Sequence, residues 1–107
     1  MNWFTASLLF EATHSDSSVA RALWEERIVL IRAESVEVAQ HLAQELGVSR
    51  EQSYPAQGQD VVTWKFRRVE RVYEVQAEAP DAGVELFSRY LRAEEVESLL
   101  TPFGDTE

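Results

Sequence analysis

The sequence predicts an α+β domain, a mainly antiparallel four-stranded sheet in the order β-β-α-β-β-α with one main helix packed on it. Two long stretches, residues 3–12 and 61–78, alternate apolar and polar side chains as strands do. Between them, residues 35–47 carry a helical apolar period bounded by a capping serine and a glycine. The chain has 107 residues, 45% hydrophobic and 27% charged, which suits one core and one domain spanning 1–107.

The first strand sets Phe4, Ala6, Leu8 and Phe10 on one side and Trp3, Thr5, Ser7 and Glu11 on the other. His14 to Ser18 is rich in turn formers, and Val19 to Leu23 has room for a short helical turn. Trp24 to Ala33 is the second strand, and its apolar run Ile28-Val29-Leu30-Ile31 predicts burial on both faces and an interior place. Ser35 is the expected N-cap of the main helix, Glu37 a favourable charge in its first turn, and Gly47 a left-handed terminator. Ala39, Leu42, Ala43 and Leu46 form its packing face, with His41 on the solvated side.

Ser49 to Asp60, with Pro55 and Gly58, reads as a long surface connection and a candidate binding loop. Val61 to Glu78 is the third strand. Its parity changes between Val62, Trp64, Phe66 and Val69, Tyr73, Val75, which predicts a one-residue bulge near Arg67-Arg68. Pro80-Asp81-Ala82-Gly83 is a tight turn leading into a returning strand, Val84 to Arg92. Ala93 to Leu100 then forms a short acidic helix with Val96, Leu99 and Leu100 inward, ended by Pro102 and Gly104, and residues 101–107 fray.

The formal charge of −9 disfavours nucleic acid and favours a protein partner of basic character. No apolar run reaches membrane-spanning length, the start of the chain has no signal-peptide pattern, and there is no cysteine; cytoplasm is the expected compartment. Only Lys65 among the basic residues is a lysine, so positive charge is carried by planar guanidinium groups suited to bidentate carboxylate pairing.

Four stretches together resemble a bacterial group of small uncharacterised proteins, the domain-of-unknown-function family 4288. They are Asn2-Trp3-Phe4 with Leu8-Leu9-Phe10-Glu11; Trp24-Glu25-Glu26-Arg27-Ile28 with Ile31-Arg32-Ala33; Val62-Thr63-Trp64-Lys65-Phe66 with Val72-Tyr73-Glu74; and Phe87-Ser88-Arg89. The resemblance runs from Asn2 to about Ala93 and implies one domain. It brings no established reaction, cofactor or catalytic residue.

The chemistry legible in the residues is sparse. His14 and His41 are far apart and lack metal-ligand spacing, so neither a metal nor a cofactor is expected. His14-Ser15-Asp16 holds the residue types of a serine triad, but neighbours in a turn rarely place the base between nucleophile and orienter. The scattered glycines form no phosphate cradle. Glu11, Glu25 and Glu26, with Arg89 and Tyr90, are the residues of a possible small-molecule pocket, against which stands their pairing in structural salt bridges. Lys65, Arg67, Arg68 and Arg71, interleaved with Trp64 and Phe66, form the basic cluster, suited either to single-stranded nucleic acid or to pairing with the chain's own carboxylates. Because no catalytic set accompanies these groups, the expected function is a non-catalytic protein-binding module with an accessory, regulatory or toxin-neutralising role. Its expected contact residues are Glu94, Glu95 and Glu97 on the terminal helix, and self-association through a sheet edge is an alternative.

Overall fold

The computed structural model describes residues 1–19 and 23–101 and shows an α+β domain built on a four-stranded antiparallel sheet. Its elements are β1 (Asn2–His14), β2 (Leu23–Ala33), α1 (Val36–Ser49), β3 (Gln52–Pro55), β4 (Val61–Glu74) and α2 (Ala93–Leu100), with the strands side by side as β2-β1-β4-β3. Of the helical turn expected over Val19 to Leu23, residues 20–22 lie outside the described residues and Leu23 is already in β2; the helix stop at Pro102 and Gly104 also lies outside them. No helix among the described residues is long and apolar enough to cross a membrane.

β1 and β4 are the interior strands, and β1 is covered on both faces. Phe4, Ala6, Leu8 and Phe10 meet Ile31, Ala33, Phe66 and Val69 in the core beneath α1, while Thr5 and Ser7 are buried on the opposite face. β2, expected inside the sheet, is an edge strand. Its apolar run divides by parity: Val29 and Ile31 face the core, while Ile28 and Leu30 point to the other face and stay about half exposed. A continuous apolar run shows only that both faces are apolar; it does not say that both are covered.

α1 starts where the sequence places it, the Ser35 hydroxyl accepting the Val38 N–H at 3.2 Å. It runs past Gly47 to Ser49, so the glycine is not a left-handed terminator. Ala39, Ala43 and Gly47 form the buried stripe instead, and Leu42 is left partly exposed. Small residues at this spacing let the helix backbone lie close to the sheet, and a Cβ added at Gly47 would meet the Phe66 ring at 2.4 Å.

The stretch expected as a loop after α1 contains β3, which pairs with Val61–Trp64 of β4 in a short hairpin. β4 carries two register shifts against β1 where one was expected, leaving Arg67 and Glu70 as extra residues. The first shift moves Val69 onto the core face opposite Leu8, and the second keeps Val72 there opposite Ala6. Tyr73 therefore lies opposite Thr5 on the other face, not with Val69.

The tight turn after β4 is present: Val84 N–H donates to the Asp81 carbonyl at 3.1 Å, and Gly83 has the positive φ of 87° that the third position of a type II turn requires. The returning strand expected beyond this turn does not form. Val84 to Arg92 instead crosses the second face of the sheet as an irregular strap, with the Thr5 hydroxyl donating to the Leu86 carbonyl and the Phe87 ring 5.9 Å from Tyr73. The fourth strand is thus β3, not this segment. α2 has the expected bounds, but Val96, Leu99 and Leu100 are exposed instead of inward.

Candidate functional site

The polar groups converge beneath the strap. Ser7 of β1 is buried, and its hydroxyl donates to Glu26 Oε2 of β2 at 2.5 Å. Arg89 of the strap brings Nη1 to 3.9 Å from the same Glu26 oxygen and to 4.0 Å from Glu70 Oε1, which the second bulge of β4 supplies. That Glu70 oxygen is buried and accepts no hydrogen bond from the described residues. Arg71 stands beside Glu70 at 3.7 Å and lies over the Phe87 ring at 5.7 Å. Tyr73, on the same face, donates to Glu85, and this bond raises its pKa because ionisation would set two negative oxygens together. The chemistry of the cluster is that of a latch. One guanidinium between two carboxylates joins three segments of the fold, and the serine proton is already engaged by a carboxylate.

Beside this latch, Glu70, Arg71, Arg89, Tyr90, Glu95 and Leu99 line a cleft of about 350 Å³ between the strap and α2. Of the expected pocket residues, Glu26 and Arg89 come together in the latch and Tyr90 borders the cleft, while Glu25 and Glu11 are elsewhere. Glu25 lies on the opposite face of β2 from Glu26 and pairs with Arg27 at 2.8 Å. Glu11 pairs with Arg67 at 3.0 Å, and the Tyr90 ring stands in solvent.

The basic stretch of β4 is largely engaged within the fold. Trp64 and Phe66 pack on the core, Lys65 is opposite Glu11 across the strand pair, Arg67 holds Glu11 and Arg71 holds Glu70. Arg68 is exposed opposite Leu9. On α2, Glu95 accepts the Arg92 backbone N–H at 2.7 Å and so caps its own helix, whereas Glu94 and Glu97 are exposed on its surface.

A second polar cluster went unread in the sequence. Asp60, almost fully buried at the end of the β3–β4 hairpin, takes His14 Nδ1 at 2.7 Å, the Asp16 N–H at 3.0 Å and the Ser15 hydroxyl at 3.4 Å. Ser15 also accepts the Val61 N–H at 2.8 Å. The acidic partner of His14 is therefore Asp60, not Asp16, and Ser15 is turned toward the hairpin, so the three consecutive residues form no triad. Asp16 itself accepts from the Ser18 side chain and backbone, which holds its pKa down.

The His14 bond, with the Asp16 N–H, also holds the Asp60 carboxyl below the ordinary carboxylate value of 3.8. A carboxyl whose pKa is depressed by folding stabilises the fold above its unfolded pKa, and that contribution is lost as the pH falls through the folded value. Asp60→Asn is therefore expected to lower the thermal midpoint at neutral pH and to narrow its gap from the unmodified protein below about pH 4. A midpoint difference independent of pH between 3 and 7, measured by scanning calorimetry, would rule out a stabilising role for the ionised aspartate.

A family model described as Domain of unknown function (DUF4288) matches residues 3–88. No curated protein and no solved structure matches the chain. The match takes in the sheet, α1 and the strap as far as Ser88, and stops before Arg89 and α2.

Proposed function

The chain belongs to the family that this model describes, and we propose that it works as a non-catalytic protein-binding module whose working surface is α2. The observation that carries this reading is the exposure of Val96, Leu99 and Leu100 on a helix that makes no close backbone contact with the sheet or α1 among the described residues. These side chains recur at i, i+3 and i+4, so they form one apolar stripe, bordered by Glu95 on one side and Glu97 on the other, while Glu94 stands on the far side of the helix. A short amphipathic helix held off a folded body suits a helix-in-groove contact. The acidic flanks, on a chain of net charge −9, favour an apolar groove rimmed by arginine or lysine. An accessory, regulatory or toxin-neutralising role would use such a contact. The engagement of Arg67 and Arg71 with Glu11 and Glu70 favours a protein partner over nucleic acid.

The test is comparative. Protein retained from the native lysate by the unmodified chain should be lost by Leu99→Ser/Leu100→Ser, and should bind about tenfold more weakly to Glu97→Lys, with affinity falling as salt rises. Glu95 is left intact because it caps the helix. Equal retention by the serine variant would end the reading.

A further inference from the structure

The two edges of the sheet are unequal. β3 is 4 residues long and ends at Pro55, features that blunt an edge against pairing. β2 is 11 residues long, without proline, and presents Trp24, Ile28 and Leu30 at 50%, 52% and 46% exposure. A groove lined by Leu30, Ile31, Arg32, Leu42 and Leu46 runs between this edge and α1. We propose that β2 pairs with β2 of a second copy, antiparallel and two-fold symmetric about Val29, joining two four-stranded sheets into one.

The register follows from charge. In an antiparallel pair, directly opposite residues share a face, so an isologous axis must pass through a residue position. An axis at Val29 sets Ile28 against Leu30 of the other copy twice, and flanks them with two Glu26–Arg32 pairs on the same face. On the core side it sets Arg27 opposite Ile31 and Glu25 opposite Ala33, with no like charges facing. Neighbouring registers are poorer. An axis at Arg27 opposes that residue to itself, one at Leu30 opposes Glu26 to Glu34, and one at Ile28 leaves Glu26 against Leu30 without an ion pair.

The side chains required are accessible. Arg32 lies 5.3 Å over the Trp3 ring, and no described carboxylate comes within ion-pair distance of it. Glu26 commits Oε2 to Ser7 and Arg89, while Oε1 takes no hydrogen bond from the described residues. The two-fold is normal to the sheet, so both α1 helices lie on one face, and Leu42 and Leu46 of each copy border the joined strands.

Light scattering of the unmodified chain should return twice its 12.2 kDa mass. Arg32→Glu alone creates two Glu–Glu pairs and Glu26→Arg alone two Arg–Arg pairs, so each should dimerise on the order of tenfold more weakly. Mixing the two variants restores every pair in the heterodimer, which should form at the affinity of the unmodified chain. Because Glu26→Arg also breaks the Ser7 contact, a second measurement avoids it. The chain has no cysteine, and residues opposed on paired strands are within disulfide reach, so Val29→Cys should cross-link to itself under mild oxidation while Ile28→Cys should not. A mass of 12.2 kDa at all concentrations, or a dimer in which Val29→Cys fails to cross-link, overturns the proposal.

Discussion

Phe10→Ala is expected to remove about 3–5 kcal/mol from a domain whose total stability is on the order of 5–15 kcal/mol. Phe10 is fully buried, its ring 5.5 Å from that of Phe66, and the Arg27 guanidinium lies 4.0 Å above it. The space left behind is hard to close. β1 is fixed by β2 on one side and β4 on the other, and α1 spans the same face of the sheet. The large effect follows from a cavity that the surroundings cannot fill, added to the lost transfer of the ring from water. Arg27 keeps its pairing with Glu25 but loses the ring beneath it. Urea denaturation followed by tryptophan fluorescence should show a lower midpoint with an unchanged slope. Leu9→Ala, one residue along on the opposite, partly covered face, should cost only about 1 kcal/mol. Equal losses at the two positions would mean that the core does not lie on the Phe10 side of the sheet.

That contrast also shows what the sequence makes legible. The period of β1 names the core residues correctly, because Phe4, Leu8 and Phe10 are large and lie on one parity. Periodicity says nothing of what is laid over the other face. Thr5 and Ser7 sit at polar positions yet are buried, because the strap crosses them and their hydroxyls find the Leu86 carbonyl and the Glu26 carboxylate. Ile28 and Leu30 are apolar yet half exposed, because β2 is at the edge. In β4 the parity change at Val69 is visible, but a second bulge shifts Val72 back into line with Phe66, so the two events read as one.

The candidate site was legible only in part, for the same reason. Glu26 and Arg89 are separated by most of the sheet in sequence and meet only because the strap returns over β1 and β2. Asp60 lies 46 residues from His14, and no local pattern links them; the nearby Asp16 is the more obvious partner until the hairpin is in place. Leucine-rich α2 reads as a packing helix by its spacing, yet the strap delivers it beyond the sheet. In each case the determining fact is a crossing of chain segments rather than a property of a window of residues.

Gly47→Ala should reverse the sign that helix propensity assigns to it. In an open helix interior the change to alanine stabilises by about 1 kcal/mol. Here the new methyl group would stand 2.4 Å from Phe66 Cε1, and that ring is itself held against Phe10 in the core. Neither the helix backbone nor the ring can withdraw without disturbing packed neighbours, so an overpacking penalty of about 1–3 kcal/mol is expected to exceed the propensity gain. A loss alone does not separate overpacking from a left-handed terminator, where alanine is also unfavourable. The double variant does. In Phe66→Ala the whole ring, Cδ1 included, is gone, and Gly47→Ala should become neutral or stabilising, giving a coupling of about 1–2 kcal/mol in a double-mutant cycle. A glycine required for its backbone conformation would cost the same with either residue at position 66. The outcome therefore tests whether the helix rests on β4 through a missing side chain, the feature that fixes the depth at which α1 sits and how far Leu42 and Leu46 stand clear of it along the edge of β2.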